Sequence, residues 1–314
     1  MEILIQIVLL AAGFYMLVKG ADWFVDGAAG VAEKFGIPQL VIGLTIVAMG
    51  TSAPEAAVSI TSALKGNAGI TIGNVVGSNI LNILVILGMA ATIVPIAVAK
   101  STIRAEIPFM LGITVVLLVF GYTASQIVLW EGIVFWILFI GYLGYLLRMA
   151  KKNKTEAAEE TEQEEVKRPM WKLLLMVVVG VVLIVVGSDV AVDAATALAR
   201  VIGLSERFIG LTIVALGTSL PELVTSVNAA RKGKADIAIG NIVGSNIFNI
   251  LFVVGTTALI TPVAFEAKFI TDTLIAIAAG ILLFLCVFRD KVLGKGDGAM
   301  LLPVYAAYFV YLMA

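Results

Sequence analysis

The sequence predicts an all-α membrane protein in which ten transmembrane helices form two inverted repeats of five helices each. Three observations lead to this prediction: an apolar composition, long apolar runs along the whole chain, and a sequence repeat at a fixed offset. Apolar residues make up 61% of the 314-residue chain and charged residues only 14%, with a mean hydropathy of +1.07. A water-soluble protein of this length has too little interior to bury so much apolar surface.

Apolar runs of about 20 residues recur along the sequence, and each is long enough to cross a hydrocarbon core of roughly 30 Å. They do not alternate between lipid-facing and lumen-facing residues, which favours helices over a β-barrel. The first run has no basic n-region and carries Glu2, so it is predicted to be a span and not a cleavable signal. The predicted spans are residues 3–24, 36–63, 69–94, 104–122, 127–147, 170–192, 203–230, 236–261, 269–288 and 299–314.

If the chain has ten spans, most basic residues lie in loops on the same side of the membrane. The groups are Lys100 with Arg104, residues 148–172, Arg231–Lys234 and Arg289–Lys295. Because short cytoplasmic loops carry an excess of Lys and Arg, this side is predicted to be cytoplasmic. The protein is therefore predicted to be a multi-pass protein of the cell membrane with both termini extracellular and the 148–172 linker cytoplasmic.

The sequence repeats itself at an offset of 167 residues. The segment Ile42–Glu55 ends in Gly-Thr-Ser-Ala-Pro-Glu and returns as Ile209–Glu222, which ends in Gly-Thr-Ser-Leu-Pro-Glu. The segment Gly73–Asn82 likewise returns as Gly240–Asn249. Since each copy holds an odd number of spans, the second copy enters the membrane from the opposite side, a common plan among secondary transporters. Duplication for packing alone is the alternative.

The two predicted repeats occupy residues 1–150 and 169–314. The segment between them, 151–168, is the one long polar stretch and carries six glutamates between Glu156 and Glu165. Its composition predicts a solvated, charged cytoplasmic linker that is too short to fold as a regulatory domain.

Glu55 and Glu222 each fall near the middle of an apolar span, where an ionisable residue is costly and usually functional. Pro54 and Pro221 precede them, and each removes a helix hydrogen bond and crowds the preceding turn. Each helix is therefore predicted to kink or unwind, which leaves backbone carbonyls free to face an interior cavity. The alternative is a pair of protonated carboxyls that hydrogen-bond two helices together.

Further oxygen atoms accompany each glutamate. Thr51 and Ser52 precede Glu55 within about one helical turn, and Ser78 and Asn82 share one face of the partner span. The second copy repeats the whole set. These are hard oxygen donors, and with no histidine in the chain they suit Na⁺ or Ca²⁺ and not zinc, copper or iron. Ordinary hydrogen bonds between helices are the alternative for the serines and asparagines.

The two carboxylates neutralise one Ca²⁺ or two Na⁺, which favours obligatory exchange over passive conduction. Four other acids, Asp22, Asp26, Asp189 and Asp193, lie towards the span ends and are predicted to face interfacial water and not to be ligands. No catalytic residue and no prosthetic group are expected.

The paired motifs resemble the α-repeats of the cation/Ca²⁺ exchanger superfamily, and the resemblance to its prokaryotic sodium/calcium exchangers covers the whole chain. It implies exchange of several Na⁺ for one Ca²⁺ at a midplane site formed by the second, third, seventh and eighth spans. It also implies that the first and sixth spans slide across the core to alternate access. The implied ligands are Thr51, Ser52, Glu55, Ser78, Asn82, Thr218, Ser219, Glu222, Ser245 and Asn249, with the carbonyls of Ala48 and Ala215.

Asn249 departs from the pattern, because some members of the superfamily carry an aspartate there. An amide leaves two formal negative charges in the site and argues against K⁺ co-transport. The alternatives are an exchanger of H⁺ or another cation for Ca²⁺ and, less favoured, a cation channel. A membrane enzyme is disfavoured, because hydrolase motifs and histidine are missing. The expected partners are Na⁺, Ca²⁺ and lipid, with no nucleic acid, and a single chain suffices to build the site.

Overall fold

The computed structural model is almost wholly helical, and it describes residues 2–66, 68–160, 168–203 and 215–313. Two pairs of two-residue strands, which the sequence did not predict, join the helix ends: β1 (Ile96–Ala97), β2 (Gln126–Ile127), β3 (Val263–Ala264) and β4 (Val292–Leu293). Within these ranges the helices are α1 (Glu2–Phe35), α2 (Gln39–Thr51), α3 (Ala53–Leu64), α4 (Ile70–Ile93), α5 (Thr102–Ala124), α6 (Leu129–Glu160), α7 (Met170–Val201), α8 (Ala215–Thr218), α9 (Leu220–Arg231), α10 (Ala235–Ile260), α11 (Ala267–Asp290) and α12 (Lys295–Met313).

Seven helices in the described ranges are long and apolar enough to cross a membrane, or eight if α2 and α3 count as one bent span. The chain is thus a predominantly helical, multi-pass membrane protein. The predicted span at 203–230 falls partly on residues 204–214, which lie outside the described ranges, and α12 is not among the seven. The total of ten spans stays a prediction.

Three helices continue past their predicted ends. α1 and α7 are 34 and 32 residues long, although the apolar runs end near residues 24 and 192. α6 continues to Glu160, so the first part of the predicted linker is helical; residues 161–167 lie outside the described ranges. Apolar composition marks where lipid contact ends, and backbone hydrogen bonds can continue a helix beyond that point.

The two long helices α1 and α7 pack against each other through glycines. A Cβ added at Gly20 would lie 2.8 Å from the Gly180 carbonyl oxygen, and one added at Gly13 would lie 2.8 Å from that of Gly187. As residue numbers rise along α1, those of its contacts fall along α7, so the two helices are antiparallel. The close approach depends on the missing side chains, as in other membrane helix pairs.

The centre of the protein is formed by α4 and α10. The most apolar stretch of α10 is almost entirely buried, whereas that of α1 is mostly exposed. α2 packs closely on α10, since a Cβ added at Gly244 would lie 2.8 Å from the Leu44 Cα. The first copy's second span therefore contacts the second copy's central helix.

The strand pairs also connect the two sequence copies. β1 pairs antiparallel with β4, and β2 pairs antiparallel with β3. β1 and β3 occupy matching positions in the two copies, so each pair takes one strand from either copy. These contacts, like the antiparallel α1 and α7, agree with an inverted repeat, although the inversion itself stays a prediction.

Two lysines from the α9–α10 connection form ion pairs with α1. Lys232 Nζ lies 3.0 Å from Asp22 Oδ1 and 3.1 Å from Asp26 Oδ1, and Lys234 Nζ lies 3.0 Å from Asp26 Oδ1. The sequence did not predict these ion pairs. The Asp22 and Asp26 side chains are 31% and 36% exposed, so they lie beside two cations of the second copy and still reach solvent. No ion pair is recorded for the matching Asp189 and Asp193 within the part of the chain that the structure describes.

Lys232→Gln is expected to lower the melting temperature of the detergent-solubilised protein modestly. The pairs are a quarter to a third exposed, so they are worth about 1 kcal/mol or less and are screened by salt. Thermal unfolding at low and high salt measures the effect, with Lys268→Gln as the control, because Lys268 pairs with Glu266 in the open. An equal shift in both variants, or one that salt does not reduce, would contradict this assignment.

Candidate cation site

Both Gly-Thr-Ser-x-Pro-Glu motifs lie where a helix breaks. α2 and α3 are bent by 50° at Ser52, which has φ −81° and ψ 7°, outside the helical region. Ser219 separates α8 from α9 with nearly the same angles, φ −93° and ψ 4°. A proline follows in the first turn of α3 and α9, as expected for a residue that cannot continue the previous helix. The predicted breaks are confirmed.

Each carboxylate is hydrogen-bonded by a serine of the other copy. Ser52 Oγ donates to Glu222 Oε1 over 2.8 Å, and Ser219 Oγ donates to Glu55 Oε1 over 3.4 Å. Both glutamates are only 1% exposed. The structure thus brings the two motifs into one buried site, and the hydroxyls and carboxylates cross between the copies.

The central helices α4 and α10 share an irregularity in their backbone, and both contribute polar side chains beside the two motifs. A π-helical turn begins at Asn82 in α4 and another at Asn249 in α10. Such turns are rare and occur often at functional sites, yet nothing in the sequence predicted them. Ser245 Oγ lies 3.4 Å from the Ala48 carbonyl oxygen and 3.5 Å from Glu222 Oε1, and it can donate to either.

Four buried acceptor oxygens in this region have no hydrogen-bond donor among the described residues. They are Oε2 of Glu55 and Glu222 and Oδ1 of Asn82 and Asn249. A buried acceptor without a partner is costly, and two of these belong to carboxylates. Two carboxylate and two amide oxygens are ligands of the kind that hard cations prefer, and no basic side chain pairs with the carboxylates in the described ranges.

The predicted ligands are not placed equally well. Thr51 is buried, and its hydroxyl donates to Asn241 Oδ1 over 2.9 Å, while Thr218 lies close to the Glu55 carboxyl. Ser78 is buried, with no side-chain hydrogen bond recorded among the described residues. Ala215 begins the short helix α8, directly after residues 204–214, which lie outside the described ranges. The ligand role of the whole set stays a prediction.

Sequence reasoning missed a second layer of asparagines that supports the broken helices. Asn74 Nδ2 donates to the Glu55 carbonyl oxygen over 3.2 Å and to Ser59 Oγ over 3.0 Å. The matching Asn241 Nδ2 donates to the Glu222 carbonyl oxygen over 3.4 Å and to Ser226 Oγ over 2.9 Å. Both asparagines are part of the repeated Gly-Asn-x-Val-Gly-Ser-Asn motif, so exact repetition was a signal that could have identified them.

Comparison with known protein families gives a match to the model described as "Sodium/calcium exchanger protein", over residues 5–148 and 172–314. The chain belongs to this family. Among curated relatives of this exchanger-family protein, the sodium/calcium exchanger MaX1 of Methanosarcina acetivorans is 33% identical, over 99% of each chain. The putative antiporter CaxA of Alkalimonas amylolytica is 38% identical, over 97% of this chain and 98% of the relative.

A solved structure shares the fold of this exchanger-family protein. The sodium-calcium exchanger NCX_Mj, from a crystal soaked with Na⁺ and Sr²⁺, superposes with a TM-score of 0.84 at 30% identity and covers 98% of this chain and 99% of its own. The expected membership of the cation/Ca²⁺ exchanger superfamily is therefore confirmed.

Proposed function

We propose that the protein is a secondary antiporter that exchanges Na⁺ for Ca²⁺ at one site shared by both copies. The observation that carries the proposal is the set of four buried, donor-free oxygens on Glu55, Glu222, Asn82 and Asn249. Two carboxylates match the charge of one Ca²⁺ or two Na⁺. The two glutamates together with either set of bound ions therefore carry no net charge. The names of MaX1 and NCX_Mj support the same pair of ions.

Alternating access is proposed to come from movement of α1 and α7 along the central helices. The two helices contact each other through glycines and are largely exposed along their apolar faces, whereas α4 and α10 are held at the centre. An empty site with two buried, uncompensated carboxylates is unfavourable to move, and this couples the return step to ion binding. Exchange follows from this coupling, and passive conduction does not.

The proposal is tested with purified protein in liposomes that contain Na⁺, diluted into Na⁺-free medium with radioactive Ca²⁺. Ca²⁺ uptake is expected when the Na⁺ gradient points outward and is expected to stop when a sodium ionophore removes it. A matched K⁺ gradient is the control, because the site lacks a third acid. Equal Ca²⁺ uptake driven by a proton gradient alone would contradict Na⁺ as the exchanged ion and favour H⁺/Ca²⁺ exchange.

The same liposomes distinguish an exchanger from a channel. A channel passes Ca²⁺ down its own gradient without a counter-ion, so uptake would persist when Na⁺ is absent from both sides. We expect no uptake in that condition.

A further inference from the structure

Four asparagines form a closed hydrogen-bond network where α4 meets α10. Asn79 Nδ2 donates to the carbonyl oxygen of Asn246 and Asn246 Nδ2 donates to the carbonyl oxygen of Asn79, both over 3.2 Å. Asn82 Nδ2 donates to Asn246 Oδ1 over 2.9 Å, and Asn249 Nδ2 donates to Asn79 Oδ1 over 3.2 Å. All four side chains are at least 96% buried.

The backbone fixes the direction of every amide in this asparagine network. A backbone carbonyl can only accept a hydrogen bond, so Nδ2 of Asn79 and of Asn246 must point towards it. Their Oδ1 atoms then face the neighbouring amides and can be satisfied only by N–H groups from Asn82 and Asn249. The Oδ1 atoms of Asn82 and Asn249 must therefore point away from the network, and neither has a hydrogen-bond donor among the described residues. In the proposed site these two oxygens face the cation. The orientation of each amide is therefore set by the hydrogen-bond network.

An amide has no intrinsic preference for which end faces the site. Turned over, Asn82 or Asn249 would present two N–H donors to a cation and could close the site by donating to a carboxylate. The segment α9, which carries Glu222, packs against the π-helical turn that begins at Asn82, and α3, which carries Glu55, packs against the turn that begins at Asn249. Each π-helical turn thus packs against the segment that carries a carboxylate, which could accept N–H groups from an amide turned towards it.

We infer that Asn79 and Asn246 are positioning residues that hold the amide oxygens of Asn249 and Asn82, respectively, towards the transported cation. The inference rests on the proposed cation site. The assignment is crossed: Asn79 of α4 orients Asn249 of α10, and Asn246 of α10 orients Asn82 of α4. Neither positioning residue needs to touch the ion.

The crossed assignment can be tested because an aspartate needs no orientation. Both oxygens of a carboxylate are acceptors, so Asn249→Asp presents an acceptor to the cation whichever way it is turned. When residue 249 is an asparagine, Asn79→Leu removes the acceptor that orients its amide, so the Asn249 oxygen no longer has to face the ion. The loss of one ligand oxygen should lower Ca²⁺ affinity about tenfold or more. In the Asn249→Asp background the same Asn79→Leu change should cost less than about twofold, since pairwise coupling disappears.

The matched control is the other half of the network. Asn246→Leu should be rescued by Asn82→Asp and not by Asn249→Asp, because Asn246 orients Asn82 alone. Ca²⁺ binding to the purified protein is measured by calorimetry, which does not require transport. If Asn79→Leu costs the same in both backgrounds, or if either acid rescues both leucine variants, the positioning role is wrong.

A further variant covers the case in which Asn79→Leu does not fold. Asn79→Asp keeps the acceptor that Asn249 uses, but it replaces the donor to the Asn246 carbonyl with a second acceptor and adds an ionisable group. Because Asn249 stays oriented, Ca²⁺ affinity should not fall by more than about threefold. A tenfold loss there would show that the donor, and hence packing, matters instead. If the parent binds Ca²⁺ but shows no Na⁺-driven uptake, the proposed function fails while this inference stands; if the parent binds no cation, both fail.

Discussion

Glu55→Gln and Glu222→Gln are each expected to abolish Na⁺-driven Ca²⁺ uptake. Each change removes one full charge beside the proposed ion. Two unit charges about 4 Å apart attract by about 4 kcal/mol at an effective dielectric constant of about 20, and divalent Ca²⁺ is attracted more strongly. Since about 1.4 kcal/mol is tenfold in affinity, Ca²⁺ binding should weaken by roughly 100- to 1000-fold. Glutamine also brings two N–H donors into a region where both Oε2 atoms lack a donor among the described residues.

Glu266→Gln is the control for these substitutions. The Glu266 side chain is 53% exposed and pairs only with Lys268 among the described residues, so its uptake should match the parent. Each variant is tested for folding by its elution profile in detergent and then for Ca²⁺ uptake and Ca²⁺ binding. Retention of parental Ca²⁺ affinity by either core variant would show that its carboxyl only joins helices and does not hold the ion.

Gly20→Ala is expected to have the second large effect, on the contact between α1 and α7. Its Cβ would lie 2.8 Å from the Gly180 carbonyl oxygen and 2.9 Å from the Ile184 backbone nitrogen, so the helix backbones must separate. Overpacking of this kind costs roughly 1–3 kcal/mol. The melting temperature in detergent should fall, and the transport rate should fall with it because the helix pair is displaced.

Gly141→Ala is the matched change on another membrane helix, α6. A Cβ at Gly141 meets nothing within 4 Å in the described part of the chain, so alanine should be neutral or slightly stabilising. If the Gly20→Ala variant has the same melting temperature as the parent protein, α1 and α7 are not held together by close backbone contact.

Particular residues show how far the sequence could predict this structure. Pro54 and Pro221 predicted the helix breaks, because a missing N–H and a ring clash act locally whatever surrounds them. The repeated serines and glutamates predicted one shared site, and the structure places Ser52 beside Glu222. Local chemistry and exact repetition were therefore enough for the main features.

What the sequence did not predict depends on contacts between distant segments. Lys232 and Asp22 are far apart in the sequence, and only the packing of α9 against α1 places them together. The orientation of Asn82 was equally hidden, because it is set by Asn246 on the other copy's central helix. The π-helical turns at Asn82 and Asn249 have no composition signal, so their register required the structure.

The crossing of hydroxyls and carboxylates between the copies means that the protein has no independent half-sites. Ser52 belongs to the first copy but donates to the second copy's Glu222, and Ser219 does the reverse. If one copy shifted against the other, both carboxylates would lose a serine donor together. For the proposed cation site, this means that ion capture and release would involve both copies at once. A substitution of either serine is then expected to act on the carboxylate of the other copy.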